Sequence, residues 1–404
     1  MYEKDTICVH SIRCPKPACG SITTPIFQAA TFVHQGVDVE SEYSYSRVQN
    51  PTRAALEARI AELENGADAI AFSSGMAAET ALMNIFESAG HIIAGDDLYG
   101  GSLRLFRYVS APAGLRFDFT DTANVENIRK VLQPDTKAVY VETPSNPTMQ
   151  VTDIAAAAEI AHSAGALLIV DNTFLSPFFQ RPLDLGADIV VHSGTKYLGG
   201  HNDTLAGFLV TKTPELADKL RVYAKTVGAC LAPFDCFLVE RGIKTLAVRL
   251  EKQAANAEKI AHWLRERPEV RKVYYIGFPD HPGYEVTKRQ CTGFGGMISL
   301  EVDTPETAKK ILREVRLFQY AESLGGVDSL ITYPMLQTHA DVPEEERLKR
   351  GINDRFLRIS VGIENADDLI ADLRSALEND CGDGMLIPAK TGNGLLLGNQ
   401  EKQT

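Results

Sequence analysis

The stretch Asp188-Ile-Val-Val-His-Ser-Gly-Thr-Lys196-Tyr-Leu-Gly-Gly-His-Asn202 runs from a short apolar segment into a polar turn that carries glycines and one lysine. A short apolar run bounded by turn residues reads as a strand buried on both faces, so Lys196 falls just past a strand's carboxyl end. Lysine is ordinarily an exposed surface residue. Its neighbours argue for more here: Ser193 and Thr195 bring hydroxyls beside it, and Leu167-Leu-Ile-Val-Asp-Asn-Thr173 ends a second strand in Asp171. In an open α/β sheet the crevice outside the strands' carboxyl ends binds ligands, which makes Lys196 a candidate Schiff-base nucleophile with a carboxylate close by.

Outward from this stretch the pattern alternates. A helix over 52–64 opens at Pro51-Thr52, a strand follows over 68–72, a helix begins after Gly75, and apolar runs recur at 91–94, 137–141, 167–170 and 187–192. An alanine-rich helix over 153–164 stops at Gly165. Short apolar strands alternating with helices predict an α/β fold with a large, mostly parallel sheet covered on both faces. After Phe208-Leu-Val-Thr211 a long helical stretch over 234–266, ended by Pro268, leads into a smaller C-terminal α/β domain. Its strands are expected at 270–275, 296–302, 329–332 and 356–361, and its helices at 305–314 and 366–378. The domain reading is an N-terminal arm over 1–50, a large domain over 51–245, a small domain over 246–380 and a flexible glycine-bearing tail over 381–404. An arm of that composition needs a surface to pack on.

With 404 residues, 44% apolar and 23% charged, the chain is an ordinary globular protein with room for two or three domains. A net charge of −12 argues against nucleic acid or an anionic membrane as a partner. No apolar run reaches the roughly 18 residues that span a bilayer, and the start has no signal-peptide pattern. The seven scattered cysteines include no CxxC, which points to reduced thiols in a cytoplasm. Cys8, Cys14 and Cys19 lack the tight pairing of metal sites, so no metal is expected.

Three further segments carry chemistry. Phe72-Ser-Ser-Gly-Met-Ala77 follows a strand and opens a helix, so the N–H groups of Gly75 and Met76 suit an anion; a plain capped helix is the competing reading. The chain has no P-loop and no well-placed G-x-G-x-x-G, so a nucleotide is not the preferred anion. Asp171 at its strand end suits a protonated pyridine nitrogen, or else caps the Asn172-Thr173 turn. Tyr99, in Asp96-Asp-Leu-Tyr-Gly-Gly-Ser102, suits stacking on a ring, while Tyr45 and Arg47 offer a phenol and a guanidinium fork to a phosphate. Lysine, carboxylate and phosphate donors together are what pyridoxal 5'-phosphate (PLP) requires.

Taken in order, Tyr45-Ser-Arg-Val-Gln-Asn-Pro-Thr-Arg53, Ser73-Ser-Gly-Met-Ala77, Glu142-Thr-Pro-Ser-Asn-Pro147, Val170-Asp-Asn-Thr-Phe174, Ser193-Gly-Thr-Lys-Tyr197 and Arg358-Ile-Ser-Val-Gly362 form a set. From about residue 5 to 380 the chain resembles the Cys/Met-metabolism (trans-sulfuration) family of PLP enzymes, which holds cystathionine lyases and γ-synthases. The resemblance implies the PLP-dependent transferase-like fold, type I, of the aspartate aminotransferase kind. It also implies that Lys196 binds PLP covalently and moves protons, that Asp171 pairs with the ring nitrogen, and that Tyr99 stacks on the ring and assists proton transfer. Gly75, Met76, Ser193 and Thr195 would hold the phosphate, joined by Tyr45 and Arg47 from a neighbouring subunit. Asn146 would sit near the cofactor's phenolic oxygen or the substrate carboxylate, and Arg358, with help from Ser323, would bind that carboxylate. The implied assembly is a cytoplasmic homotetramer, a dimer of dimers, acting on a small amino acid.

Family resemblance narrows the substrate less well. Glu322, in Tyr320-Ala-Glu-Ser-Leu-Gly-Gly326, and Arg104, five residues after Tyr99, match residues of cystathionine γ-lyases and γ-synthases. Gly101 stands where methionine γ-lyases have cysteine, which counts against that activity. Ser44 stands where the cystathionine γ enzymes tend to carry an acid, and Tyr333-Pro-Met-Leu-Gln-Thr-His339 departs from their usual pattern. The resulting expectation is a PLP-dependent carbon-sulfur lyase acting on cystathionine or a related sulfur amino acid. Its alternatives are γ-replacement on an activated homoserine ester and a non-catalytic binding protein built on the same fold.

Overall fold

A computed structural model describes residues 2–15, 20–340 and 342–378; the expected tail over 381–404 lies outside them. Seven strands build the large sheet: β1 (Asp68–Phe72), β2 (His91–Gly95), β3 (Arg116–Thr120), β4 (Thr136–Glu142), β5 (Leu167–Asp171), β6 (Ile189–Ser193) and β7 (Gly207–Thr211). Their spatial order is β1-β7-β6-β5-β4-β2-β3. Only the two pairings made by β7 are antiparallel, so the sheet is mostly parallel, as the alternation of strands and helices predicts.

Alternating side chains on one strand enter two separate cores. Val139 and Val141 join one, with Leu168, Val170 and Val190; Ala138 and Tyr140 join the other, with Ile169, Ile189 and Val191. Burial on both faces is why these strands read as continuous apolar runs. β3 was not anticipated, because Arg116-Phe-Asp-Phe-Thr120 lies at the sheet edge, mixes polar with apolar residues and has no fully buried residue. The helix Pro214–Val227, opened by the Thr213 hydroxyl on the Leu216 N–H, was also missed.

A second sheet, in the order β10-β11-β12-β9-β8, is built from β8 (Val270–Tyr274), β9 (Met297–Val302), β10 (Gln319–Tyr320), β11 (Leu330–Thr332) and β12 (Phe356–Ser360). Leu357 and Ile359 of β12 face the core that this sheet shares with its helices. Period two therefore turns Arg358 the other way, toward the large sheet.

The long helix expected over 234–266 is two helices, Pro233–Ile243 and Leu246–Arg265. At the break the Gly242 carbonyl accepts from the Thr245 N–H, and Gly242 packs closely on the turn that follows Lys196, since a Cβ there would lie 2.1 Å from the Gly199 carbonyl oxygen. Arg249, only 3% exposed, stitches the break to the Lys196 turn. Its Nη2 donates to the Gly242 carbonyl at 2.8 Å and its Nη1 to the Tyr197 carbonyl at 2.9 Å. Gly200, at φ 70°, leaves room for the guanidinium, since a Cβ there would sit 2.0 Å from Nη1.

The N-terminal arm is anchored at one place by a helix over Lys4–Val9, whose Ile7 and Cys8 are fully buried and whose carbonyls accept from Arg59 Nη1 at 3.0 and 3.1 Å. Farther along it, Ile22, Val33 and Val37 are each more than 90% exposed. No helix among the described residues is long and apolar enough to cross a membrane. Arg249→Met keeps the apolar stem but takes the donor from the buried Tyr197 carbonyl and leaves the Gly242 carbonyl to Thr245 alone. It is expected to lower unfolding free energy by roughly 2–4 kcal/mol in urea denaturation of the apo-protein; a loss below about 1 kcal/mol would remove this residue from the packing argument.

Candidate active site

The parallel register places Glu142 of β4 directly beside Asp171 of β5. Both carboxylates end their strands on the sheet's carboxyl side, and the turn after β6 brings Lys196 to the same side. Thr173 ties the ends together: its N–H donates to Asp171 Oδ1 at 2.9 Å, and its Oγ1 accepts from the Ser193 N–H at 2.9 Å. The helix Gly75–Met83 points its N-terminus at this place, with the Ser74 hydroxyl capping it on the Ala77 N–H. The first N–H groups of a helix have no partner within it, so those of Gly75 and Met76 suit an anion. Gly75 is a true close approach: a Cβ there would come 3.2 Å from Ser193 Cβ.

These residues line one cavity of about 310 Å³ together with Tyr99, Asn146, Thr195, Glu322, Ser323 and Arg358. Lys196 Nζ donates to Ser323 Oγ at 2.9 Å, and Arg358 Nη2 donates to the Ser323 carbonyl at 3.0 Å. Ser323 is thus held between amine and guanidinium, with its backbone at φ 88°, a conformation that costs a non-glycine residue about 1–3 kcal/mol. Arg358 Nη1 donates to Asn146 Oδ1 at 2.8 Å. Burial, with Arg358 adding to it, lowers the Lys196 ammonium to about 8. Burial raises the carboxyls of Asp171 and Glu142 as well, against hydrogen bonds from Thr173 and from the Tyr99 N–H.

Three expected residues stand outside the cavity of their own chain. Arg104 lies on its flank, where its charge still opposes the upward shift that burial gives the Tyr99 hydroxyl. Tyr45 is 45% exposed and Arg47 stacks on its ring at 5.4 Å, with Arg47 Nη1 donating to the Lys225 carbonyl. Gly101 has a local reason: a Cβ there would meet the Tyr99 ring at 2.3 Å and Met76 Sδ at 2.9 Å. The turn with Thr338 and His339 packs on Gly100, where a Cβ would lie 2.1 Å from the Thr338 carbonyl oxygen.

Two acidic residues of the cavity escaped the sequence reading. Glu142 ends β4 just as Asp171 ends β5, so the strand-end argument that found one applies to the other. Glu79 stands four residues after Gly75, and so on the same helical face as the anion site; an acid inside Gly75-Met-Ala-Ala-Glu-Thr-Ala-Leu-Met83 was the available signal. The donor set fits PLP: an amine with a lowered pKa, a strand-end carboxylate and a helix N-terminus packed tightly on Ser193 share one cavity.

Comparison with known proteins agrees. The chain is 48% identical to a cystathionine gamma-lyase of Bacillus subtilis (strain 168) over 377 residues, 93% of this chain and 100% of that protein. It is 48% identical to a cystathionine beta-lyase of Lactococcus lactis subsp. cremoris over 361 residues, 89% of this chain and 95% of that protein. Among solved structures, the cystathionine gamma synthase of Xanthomonas oryzae pv. oryzae in complex with aminoacrylate and cysteine matches with a TM-score of 0.91 at 39% identity, covering 93% of this chain and 98% of that one. Residues 5–378 match one family along nearly the whole described length, and the chain belongs to it: the Cys/Met metabolism PLP-dependent enzymes.

Proposed function

We propose that this protein is a PLP-dependent carbon-sulfur lyase that cleaves cystathionine, or a related sulfur amino acid, by γ-elimination. With water, cystathionine would give cysteine, ammonia and 2-oxobutyrate. The observation that carries this reading is the chain Lys196–Ser323–Arg358, in which one residue joins the reactive amine to the guanidinium. Arg358, buried and oriented by Asn146, holds the substrate's α-carboxylate in a bidentate-capable fork. That anchorage sets the substrate's Cα–H beside Lys196 Nζ. PLP, when bound, supplies an electron sink for the pair left at Cα. Lys196 Nζ would take the α-proton, which its lowered pKa permits near neutral pH, and Tyr99, lining the same cavity, would assist proton movement. Glu322 lines the same cavity and is read as meeting the substrate's distal part.

A second reading is γ-replacement, in which a thiol captures the unsaturated fragment, and the likeness to a γ-synthase structure supports it. β-Elimination, giving pyruvate, is supported by the likeness to β-lyases. Tyr45 and Arg47 are read as phosphate ligands for a neighbouring subunit's cavity, which would make the active unit at least a dimer; the family resemblance extends this to a homotetramer, a dimer of dimers. Cys8, Cys14, Cys230, Cys236 and Cys291 are free, which supports a reducing compartment such as the cytoplasm.

Incubation with L-cystathionine alone is expected to release 2-oxobutyrate, and Lys196→Ala to lower kcat by roughly 10³-fold or more. Pyruvate in its place would mean β-elimination; no keto acid, with cystathionine formed from O-acylhomoserine and cysteine, would establish replacement. The rate at which apo-protein takes up PLP should rise about tenfold per pH unit below pH 8 and level off above it, because only the unprotonated amine attacks the aldehyde. A rate still climbing toward pH 10 contradicts the lowered Lys196 pKa. Gel filtration at the 44.2 kDa monomer mass would overturn the shared phosphate site.

A further inference from the structure

The mechanism above leaves one buried acid of the cavity without a role. Glu79 is 3% exposed and lines the cavity alongside Asp171. Its Oε1 accepts from Ser102 Oγ at 3.0 Å, while its Oε2 is buried with no hydrogen-bond partner. A buried carboxylate oxygen without a donor is costly when charged, by about 1–3 kcal/mol or more. The groups facing it are Asp171 on β5, Tyr140 and Glu142 on β4, and Tyr99 beyond them. None is basic. Ring binding at Asp171 would change that, by bringing a cation to this end of the cavity.

We propose that Glu79 is a second acid at the ring-nitrogen end of the cofactor cavity, neutral while the cavity holds no ring and ionised when the cationic ring binds at Asp171. It is a positioning residue, and the inference rests on the reading that this cavity holds the ring with its nitrogen on Asp171. The two competing effects can be weighed. Further burial by the ring adds little, because Glu79 is already almost fully buried, whereas an opposite charge within about 4–6 Å lowers a carboxyl pKa by about 1–3 units. Attraction wins. Burial, followed by the ionised Asp171, holds the Glu79 carboxyl up at about 8 beforehand, so at neutral pH the O–H bond is there to break.

Proton accounting holds for either form of the ligand. If the ring arrives as pyridinium, the Glu79 proton leaves to solvent. If it arrives as neutral pyridine, the Glu79 proton passes to the ring nitrogen and none is drawn from solvent. In both cases the wild type releases more protons, or takes up fewer, than a chain without this acid.

The probe is 4'-deoxypyridoxine 5'-phosphate, which has no aldehyde and cannot react with Lys196. Calorimetric titration of full-length apo-protein at pH 7, in two buffers of different ionisation heat, counts the protons exchanged. Wild type is expected to differ from Glu79→Gln by about half a proton to one proton, and Glu79→Leu should repeat the difference without offering an amide. Binding with equal proton numbers in all three overturns the role of Glu79 and leaves the cofactor site standing. If the wild type does not bind the probe, the site reading fails and this proposal with it. Lys196 is common to all three proteins and cancels in the comparison.

Discussion

The register of β4 on β5 is the constraint on which the rest of the site depends. It sets Glu142 beside Asp171 at one edge of the sheet, and β6 continues the same row before turning into Lys196. In a parallel sheet a one-residue slip would send each of these strand-end groups to the opposite face. Burial on both faces prevents that slip, since Val139 and Val141 belong to one core and Ala138 and Tyr140 to the other. The same apolar packing that holds the sheet therefore aims its reactive ends.

The small sheet completes the site by presenting one side of one strand. Arg358 points away from the core that holds Leu357 and Ile359; its hydrogen bond to Asn146 crosses to the loop after β4 of the large sheet, while its bond to the Ser323 carbonyl stays with the small sheet. Ser323 accepts a strained backbone conformation at the point where amine and guanidinium meet. Such strain persists where surrounding contacts over-determine it, as the Arg358 and Lys196 bonds do here.

Charge is balanced locally rather than over the chain as a whole. Two buried cations, Lys196 and Arg358, face three buried carboxyls, Glu79, Glu142 and Asp171, and burial shifts all five toward neutrality. A ligand with a cationic ring, an anionic phosphate and an anionic carboxylate end answers each of these groups. The chemistry expected of Lys196, an amine usable near neutral pH, comes from its burial and the neighbouring Arg358 guanidinium.

Much of this was legible in the chain. Strands buried on both faces announce themselves as apolar runs, and turn residues at their ends marked Lys196, Asp171 and Gly75 without reference to distant contacts. β3 and the helix break at 244–245 were not legible, because an edge strand lacks the apolar run and the carbonyl at the break, that of Gly242, is held by Arg249, which also bonds the sequence-distant Tyr197 carbonyl. Sequence by itself determined the family and the cofactor chemistry, since these reside in local motifs whose residue types are the chemistry. Only the tertiary structure decided that Arg104 lies outside the cavity, that Gly101 leaves room for the Tyr99 ring, and that Glu79 lies beside Asp171 with an unpartnered oxygen. Those depend on which side chains from separate elements share a desolvated space, and no local pattern encodes that.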